Sequence, residues 1–345
     1  MAMPDITVMG AGIFGLSVAW CAQSMGARVQ VIDPGGPGAG ASGGVVGALA
    51  PHVPENWNTK KAFQFDSLMM AEAFWTDVQQ ISGISPGYAR LGRLQPVADE
   101  AALDLARARA ETAQPLWQGK ATWQVVRVAD HDWAPQSPTG WLIHDTLSAR
   151  LHPRRACAAL AAAITVRGGD ILRDGNAKGR VVWATGIHDL KRITASHSRT
   201  VGNGVKGQGA LLNFHGPDLP QIFADTVHIV PHEDGTVAIG STSEHAYADP
   251  SSTDTQLDDV IDKAMAAIPL LHGARVVERW AGLRPRTRSR APMLGEHPLH
   301  KDQFIANGGF KIGFGMAPKV GQVMARLMLD GVDDIPDEFR PDASL

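Results

Sequence analysis

The chain has 345 residues, 44% of them hydrophobic and 19% charged, with a formal net charge of −3. That length allows one large or two medium domains, and the slightly acidic balance argues against a general nucleic-acid binder. No apolar run approaches the ~20 residues that span a bilayer, and the first segment lacks the basic start of a secretory signal.

Residues 5–33 read DITVMGAGIFGLSVAWCAQSMGARVQVID. ITVMG is a short β-branched run suited to a buried parallel strand. Gly10, Gly12 and Gly15 follow as G-x-G-x-x-G and lead into an apolar helix that contains Ile13 and Phe14. Gly26 ends that helix, and ARVQVID returns as a second strand closing on Asp33. The first glycine permits a tight turn, the second lets a pyrophosphate approach the backbone, and the third lets helix and sheet pack closely. Asp33 lies about 20 residues beyond the glycines, where a carboxylate can hold ribose hydroxyls. The unit predicts a dinucleotide site without deciding between NAD and FAD. The next stretch, GGPGAGASGGVVGALAPH, favours the longer flavin dinucleotide. Its small residues Ala41, Ser42, Gly43 and Gly44 allow a second close backbone approach, with Ser42 as a hydroxyl donor.

Helical periodicity marks residues 59–82, and SGISPGYARLGRLQPV turns into an extended segment. ALDLARARAETAQPLW is a further helix, as is HPRRACAALAAAI, with Pro153 suited to its first turn. GTVAIGST reads as a strand after the Asp234–Gly235 turn. PKVGQVMARLMLDG reads as an amphipathic helix opened by Pro318 and closed by Gly331. Cys21 and Cys157, the only cysteines, sit in Ala-rich helix-like segments and read as buried thiols in a reducing cytoplasm. Histidine pairs His228/His232 and His297/His300 lack a third partner, so no metal is expected. In GLRPRTRSRAPMLG, Arg284, Arg286, Arg288 and Arg290 occupy every second position.

Five ordered segments carry a resemblance that covers residues 5 to about 329: GAGIFGLSVAW with VQVID and GASGGVVGALAPH, then VVWATGIHD, VHIVPHEDGTVAIGSTSE, RWAGLRPRTRSRAPMLGEHP and FIANGGFKIGFGMAPKVGQVMARLML. Together they resemble the FAD-dependent D-amino-acid oxidase superfamily, in its glycine oxidase and sarcosine oxidase branch. The resemblance implies an α/β fold: a Rossmann-type, glutathione-reductase-like FAD-binding domain interleaved with an α+β substrate domain on a mostly antiparallel sheet. It places residues 1–85, 145–205 and 280–345 in the first domain and 86–144 and 206–279 in the second. Family members usually extend a β-hairpin before the A-T-G turn, whereas here only a short polar link, 173–180, is present.

The same resemblance implies a function, the oxidation of a small amino acid or secondary amine of glycine, sarcosine or D-amino-acid type to an imine. Electrons would pass to oxygen or another acceptor, and a homo-oligomer is left open. In the G-L-R-P motif of glycine oxidase-like members the arginine holds the substrate carboxylate, here Arg284. Arg286, Arg288 and Arg290 face solvent or a phosphate-bearing partner. Ala184, Thr185 and Gly186 match the A-T-G turn near the dinucleotide, and Gly309, Phe310, Lys311, Ile312 and Gly313 match the flavin-contact loop. Lys311 falls where members often have a second arginine, and reads either as a carboxylate attractor or as a solvated loop lysine. His228 falls where members often have a tyrosine; it could bond a substrate oxygen, act on the amine proton, or simply pack. Sarcosine oxidase-like members hold FAD through a C-terminal cysteine, and nothing beyond Cys157 could do so here, so FAD is expected to be non-covalent. Two alternatives stand beside this reading: a tRNA wobble-uridine modifying flavoenzyme, and a flavin-loaded subunit of a larger assembly.

Overall fold

A computed structural model describes residues 3–345. Two sheets organise the chain. The smaller has six strands in the order Met293–Glu296, Phe304–Asn307, Arg180–Trp183, Ile6–Met9, Val29–Ile32 and Asp170–Leu172. Its pairings are parallel except the first, as expected of short, fully buried β-branched strands flanked by helices. Helices Ile13–Ser24, Thr59–Ser82, Pro153–Val166 and Gly313–Asp330 bury their apolar faces in one core with it. Within that core Leu16, Val18, Trp75, Leu160 and Met324 are buried.

The larger sheet has eight strands in the order Val276–Thr287, Gly202–Asn213, Thr236–Gly240, Val227–Pro231, Gln221–Ala224, Arg93–Pro96, Trp141–Asp145 and Trp123–Arg127. All its pairings are antiparallel except Gln221–Ala224 with Arg93–Pro96. Alternation sorts its faces. Ala210, Leu212, Ile222, Ile229, Ile239 and Leu94 pack with Leu257, Ile261 and Ala264 of helix Thr255–Ala267. The opposite face contributes Leu211, Val230, Ala238 and Trp280 to a small cluster with Val45 and Val46 of the glycine-rich loop. The site therefore forms where that face meets the parallel layer.

Helix ends follow local chemistry. Asn58, Asp99 and Asp254 accept amide hydrogen bonds at three N-termini, and Gly83 and Gly331 close two helices in the left-handed region.

One sequence expectation needs correction. The last long helix starts at Gly313, not at Pro318, which lies in its second turn. Buried Met316 and Ala317 hold the additional turn through packing. Residues 280–287 are part of a twelve-residue strand hydrogen-bonded along the edge of the larger sheet. The short link after Leu172 is pinned by Thr7 Oγ1 to Lys178 O at 2.6 Å and by Gln30 Nε2 to Asn176 O at 2.9 Å.

The first and last helices cross so closely that a Cβ at Gly321 would lie 2.5 Å from Ser17 O and 2.8 Å from Cys21 Sγ. Both are rigid parts of the facing helix, so Gly321→Ala is expected to destabilise the protein by about 1–3 kcal/mol. Thermal denaturation of purified variant and parent measures the shift; an unchanged melting temperature would mean that the crossing can relax.

Candidate active site

The first strand ends in a turn whose tightness is set by backbone. Gly10 sits at φ 107°, and a Cβ there would lie 2.5 Å from Ala184 O. Ala11 N donates to Asp33 Oδ2 at 2.7 Å, and Gly35 N donates to Asp33 Oδ1 at 2.9 Å. Asp33 thus holds the turn while remaining half-exposed. Gly12 caps the first helix without any side-chain bond, and Ile13 N donates to Ser42 Oγ at 3.0 Å. The next two amides, Phe14 and Gly15, bond to none of the described residues. Such open donors at a helix N-terminus favour an anion.

A second open helix start lies beside the first. The last long helix begins at Gly313, capped by Ile312 without a side-chain bond, and its earliest intrahelical bond runs from Met316 N to Ile312 O at 3.0 Å. The amides of Gly313, Phe314 and Gly315 have no partner among the described residues. Cβ atoms at Gly309 and Gly313 would lie 3.0 Å from Phe14 Cζ and 3.6 Å from Ile13 Cγ2. The two helix starts therefore converge, and the residues present fit a flavin dinucleotide: an anion at one start and the acceptor edge of a ring at the other.

Ala184, Thr185 and Gly186 form the turn against Gly10, with Ala184 N donating to Met9 O at 2.7 Å. Asn307 Nδ2 donates to Gly186 O at 2.9 Å, and a Cβ at Gly186 would lie 3.9 Å from Pro285. Phe310 N in turn donates to Pro285 O at 3.1 Å. The A-T-G turn, the G-L-R-P segment and the 309–313 loop are thereby joined. Ala41, Ser42 and Gly43 form a short 3-10 turn, and Gly44 packs on Trp280, whose indole would lie 3.3 Å from an added Cβ. Arg154, not anticipated from sequence, donates to Gly43 O at 2.8 Å and makes a bidentate pair with Glu278 at 2.9 and 2.6 Å. Its signal is faint because the partners are far apart in the chain.

Arg284 leaves the face of the larger sheet that looks toward these turns. Nη2 donates to Ser241 Oγ at 2.6 Å and Nη1 to Thr242 O at 3.2 Å. Gly207 opposite leaves room for the guanidinium, which a Cβ would invade. Burial pushes Arg284 down to about 10, opposed by the Glu244 carboxylate, so it remains a cation near neutrality. Glu244 is itself committed behind it, with Lys206 Nζ at 3.4 Å and Gln208 Nε2 at 2.9 Å.

Lys311 stands exposed at the rim, and its ammonium is lowered by desolvation in the crevice, then by Arg284 and Arg286. The Arg286 guanidinium lies 5.5 Å from the centroid of Phe310. His228 is pushed down to about 3 by burial first, then by Arg93, Lys311 and Arg284. Its Nδ1 is buried without a partner. The structure brings Arg284, Lys311 and His228 into one electrostatic neighbourhood. Arg288 and Arg290 are elsewhere: Arg288 donates from Nε to Ser344 O at 3.0 Å, and Arg290 O accepts from Lys60 Nζ at 2.5 Å. Gly207 and Arg93, which no sequence motif singles out, share the face of Arg284, and Ser241 lies in the GTVAIGST strand segment without being singled out there.

The fold and the paired helix starts define a dinucleotide-binding protein of flavoenzyme type. The family model described as DAO, FAD dependent oxidoreductase, matches residues 5–327, and the chain belongs to that family. A glycine oxidase of Pseudomonas putida (strain KT2440) is 27% identical, covering 99% of this chain and 99% of that protein. The crystal structure of glycine oxidase from Geobacillus kaustophilus superposes with a TM-score of 0.84 at 21% identity, covering 98% of each chain. That of iminodiacetate oxidase from Chelativorans sp. BNC1 gives 0.83 at 20% identity, covering 97% of this chain and 98% of that one. The protein is a FAD-dependent oxidoreductase, and no helix among its described residues is long and apolar enough to cross a membrane.

Asp33→Ala should weaken FAD binding by about 10–100-fold, the range for hydrogen bonds to a charged group, measured as flavin released on ultrafiltration; undiminished retention would remove Asp33 from the cofactor site. A second expectation concerns acid. His228 and His232 are held neutral, pushed down to about 3 and about 4 by burial, with the Val45 carbonyl bond opposing the shift at His232. In the unfolded chain both bind protons near the ordinary 6.5. Their contribution to stability is present above pH 6.5 and is lost as pH falls toward 4 and 3. Urea unfolding across this window should show the loss, and His228→Asn should reduce the slope by up to about 1.4 kcal/mol per pH unit.

Proposed function

We propose that the protein oxidises the C–N bond of a small amino acid or secondary amine, of glycine, sarcosine or D-amino-acid type, to an imine that water then hydrolyses. The observation that carries this reading is Arg284, a half-buried guanidinium held by Ser241 and Thr242 and joined through Pro285 to the loop that starts the last helix. A planar fork in a desolvated site is suited to a carboxylate. Glycine oxidase relatives spanning nearly the whole chain support the same substrate class.

Bound FAD would supply the two-electron oxidant for the C–N bond, to be regenerated by oxygen or another acceptor. The protein would supply position and field. Gly10, Gly12, Ile13, Phe14, Gly15 and Asp33 would hold the dinucleotide end, with Ala41 to Gly44 and Ala184 to Gly186 closing over it. Gly309 to Gly313 would present backbone donors to the ring. Arg284, with Lys311 adding long-range attraction, would fix the carboxylate, so that the α-carbon is oriented for transfer. His228, neutral at any physiological pH, would offer a ring nitrogen to the amine or its proton without repelling it. We infer that FAD is held non-covalently and that the enzyme is cytoplasmic, in keeping with the free thiols Cys21 and Cys157. We also infer two interleaved domains, one on each sheet.

Anaerobic titration of the FAD-loaded protein with glycine, sarcosine, D-amino acids and proline tests the reading through bleaching of the flavin band. At least one amine should bleach it, and Arg284→Ala should lower kcat/KM by about 100-fold or more, with Arg284→Lys recovering part of the loss. If no amine bleaches the flavin, the amine-oxidising function is wrong.

A further inference from the structure

One charged side chain on the active-site face has no part in that reading. Arg93 begins its strand and is 5% exposed. Its Nε donates to Asp145 Oδ2 at 2.9 Å; Asp145 is fully buried, and its Oδ1 accepts from Ser148 N at 2.8 Å. No other hydrogen bond leaves this guanidinium among the described residues, so both terminal nitrogens lack a protein partner. A buried ion pair contributes little to stability by itself, and the two terminal nitrogens are not buried with it but open onto solvent-accessible space. The carboxylate therefore explains why the charge is tolerated, but not why the terminal fork is left open.

The sheet register says where Arg93 points. Leu94 pairs with Ile222 and enters the core under helix Thr255–Ala267, so Arg93, paired with Gln221, leaves from the opposite face. His228 shares that face, since its neighbour Ile229 pairs with Ile222 in the same core. Arg284 shares it too: it pairs with Val205, which alternates with the core-facing Ala210. Strand order separates the two cationic ends: Val227–Pro231, which carries His228, lies between Val276–Thr287, which carries Arg284, and Arg93–Pro96. Arg93, Lys311 and Arg284 all act on the His228 imidazole. Arg93 therefore lies on the far side of the imidazole from Arg284.

We propose that the terminal fork of Arg93 binds a second carboxylate of the substrate, opposite the α-carboxylate held by Arg284. The preferred substrate is then an amino or imino dicarboxylic acid, with its amine near neutral His228 between the two anchors. This rests on the amine-oxidising function proposed above and deepens it. Arg93 is a binding and specificity residue in this arrangement; it takes no proton and donates no electron.

Two measurements on the FAD-loaded protein test it. The first follows perturbation of the flavin spectrum by acids that cannot be oxidised, comparing acetate and propionate with malonate, succinate and glutarate. The best dicarboxylate should bind at least about 10-fold more tightly than the monocarboxylates. The second compares anaerobic flavin reduction by iminodiacetate, D-aspartate and D-glutamate with reduction by glycine and D-alanine. In the paired variant Arg93→Gln with Asp145→Asn, which leaves no buried charge unpaired, the dicarboxylate-to-monocarboxylate ratio of kcat/KM should fall by about 10–100-fold. Arg93→Lys should give an intermediate ratio.

If the parent protein shows no dicarboxylate preference in binding, the inference is overturned whether or not the variants fold. A ratio that survives in the paired variant overturns it as well. If no amine of either kind reduces the flavin while dicarboxylates still bind through Arg93, the second anchor stands and the amine-oxidising function alone fails.

Discussion

The pairing of strand Gly202–Asn213 with strand Val276–Thr287 sets the positions of Trp280, Arg284 and Pro285 in the site. Trp280, Gly282 and Arg284 lie on one face of the latter strand, opposite Gly209, Gly207 and Val205. The facing pair Gly207 and Gly282 carries no side chain, and that clearing lies between Trp280 and Arg284. Trp280 uses it to pack on Gly44 of the cofactor loop, and Arg284 uses it for its guanidinium. Pro285, next in line, accepts from Phe310 N and rests near Gly186. A one-residue slip would invert the alternation, turning Leu283 toward the cofactor and Arg284 away from it. Register here is thus a functional quantity as much as a structural one.

What that register helps to assemble is a positive field only partly offset by carboxylates. Arg284 and Arg286 act on Lys311 in a partly desolvated crevice, and Arg93 adds to the field at His228. The carboxylate behind Arg284, Glu244, is shared with Lys206, which is 2% exposed, and with Gln208, while Asp145 holds Arg93 through Nε. Like charges crowded in low dielectric repel strongly, so an anionic ligand relieves the apoprotein as it binds. His228 responds in the only way open to it, by staying neutral.

The parts of this arrangement that depend on backbone chemistry are legible in the sequence. Gly10, Gly12, Gly15 and Asp33 state their roles because a turn, a close approach and a strand-end carboxylate constrain residue type directly. Arg284 is legible through G-L-R-P. The alternating row of arginines misleads beyond it: the strand ends at Thr287, so the alternation that places Arg284 and Arg286 on the site face does not carry on to Arg288 and Arg290. Arg288 instead meets the C-terminal residues Ser344 and Leu345. Arg93 and Asp145 are 52 positions apart and become a pair only through a strand register no local pattern specifies. The same is true of Gly207, whose meaning is the guanidinium opposite.

The start of the last helix departs from local sequence preference. Pro318 is a natural first-turn residue, so local preference points there, and Gly313 and Gly315 are poor helix formers. The chain nevertheless begins the helix at Gly313, buries Met316 and Ala317, and accommodates Pro318 in the second turn. That choice leaves the three open amides of Gly313, Phe314 and Gly315 next to the start of the first helix. Moving the start to Pro318 would satisfy propensity and leave a proline, which has no donor, at the head of the helix. Helix propensity is given up where it would have cost the donors, and core packing one turn further on restores the stability.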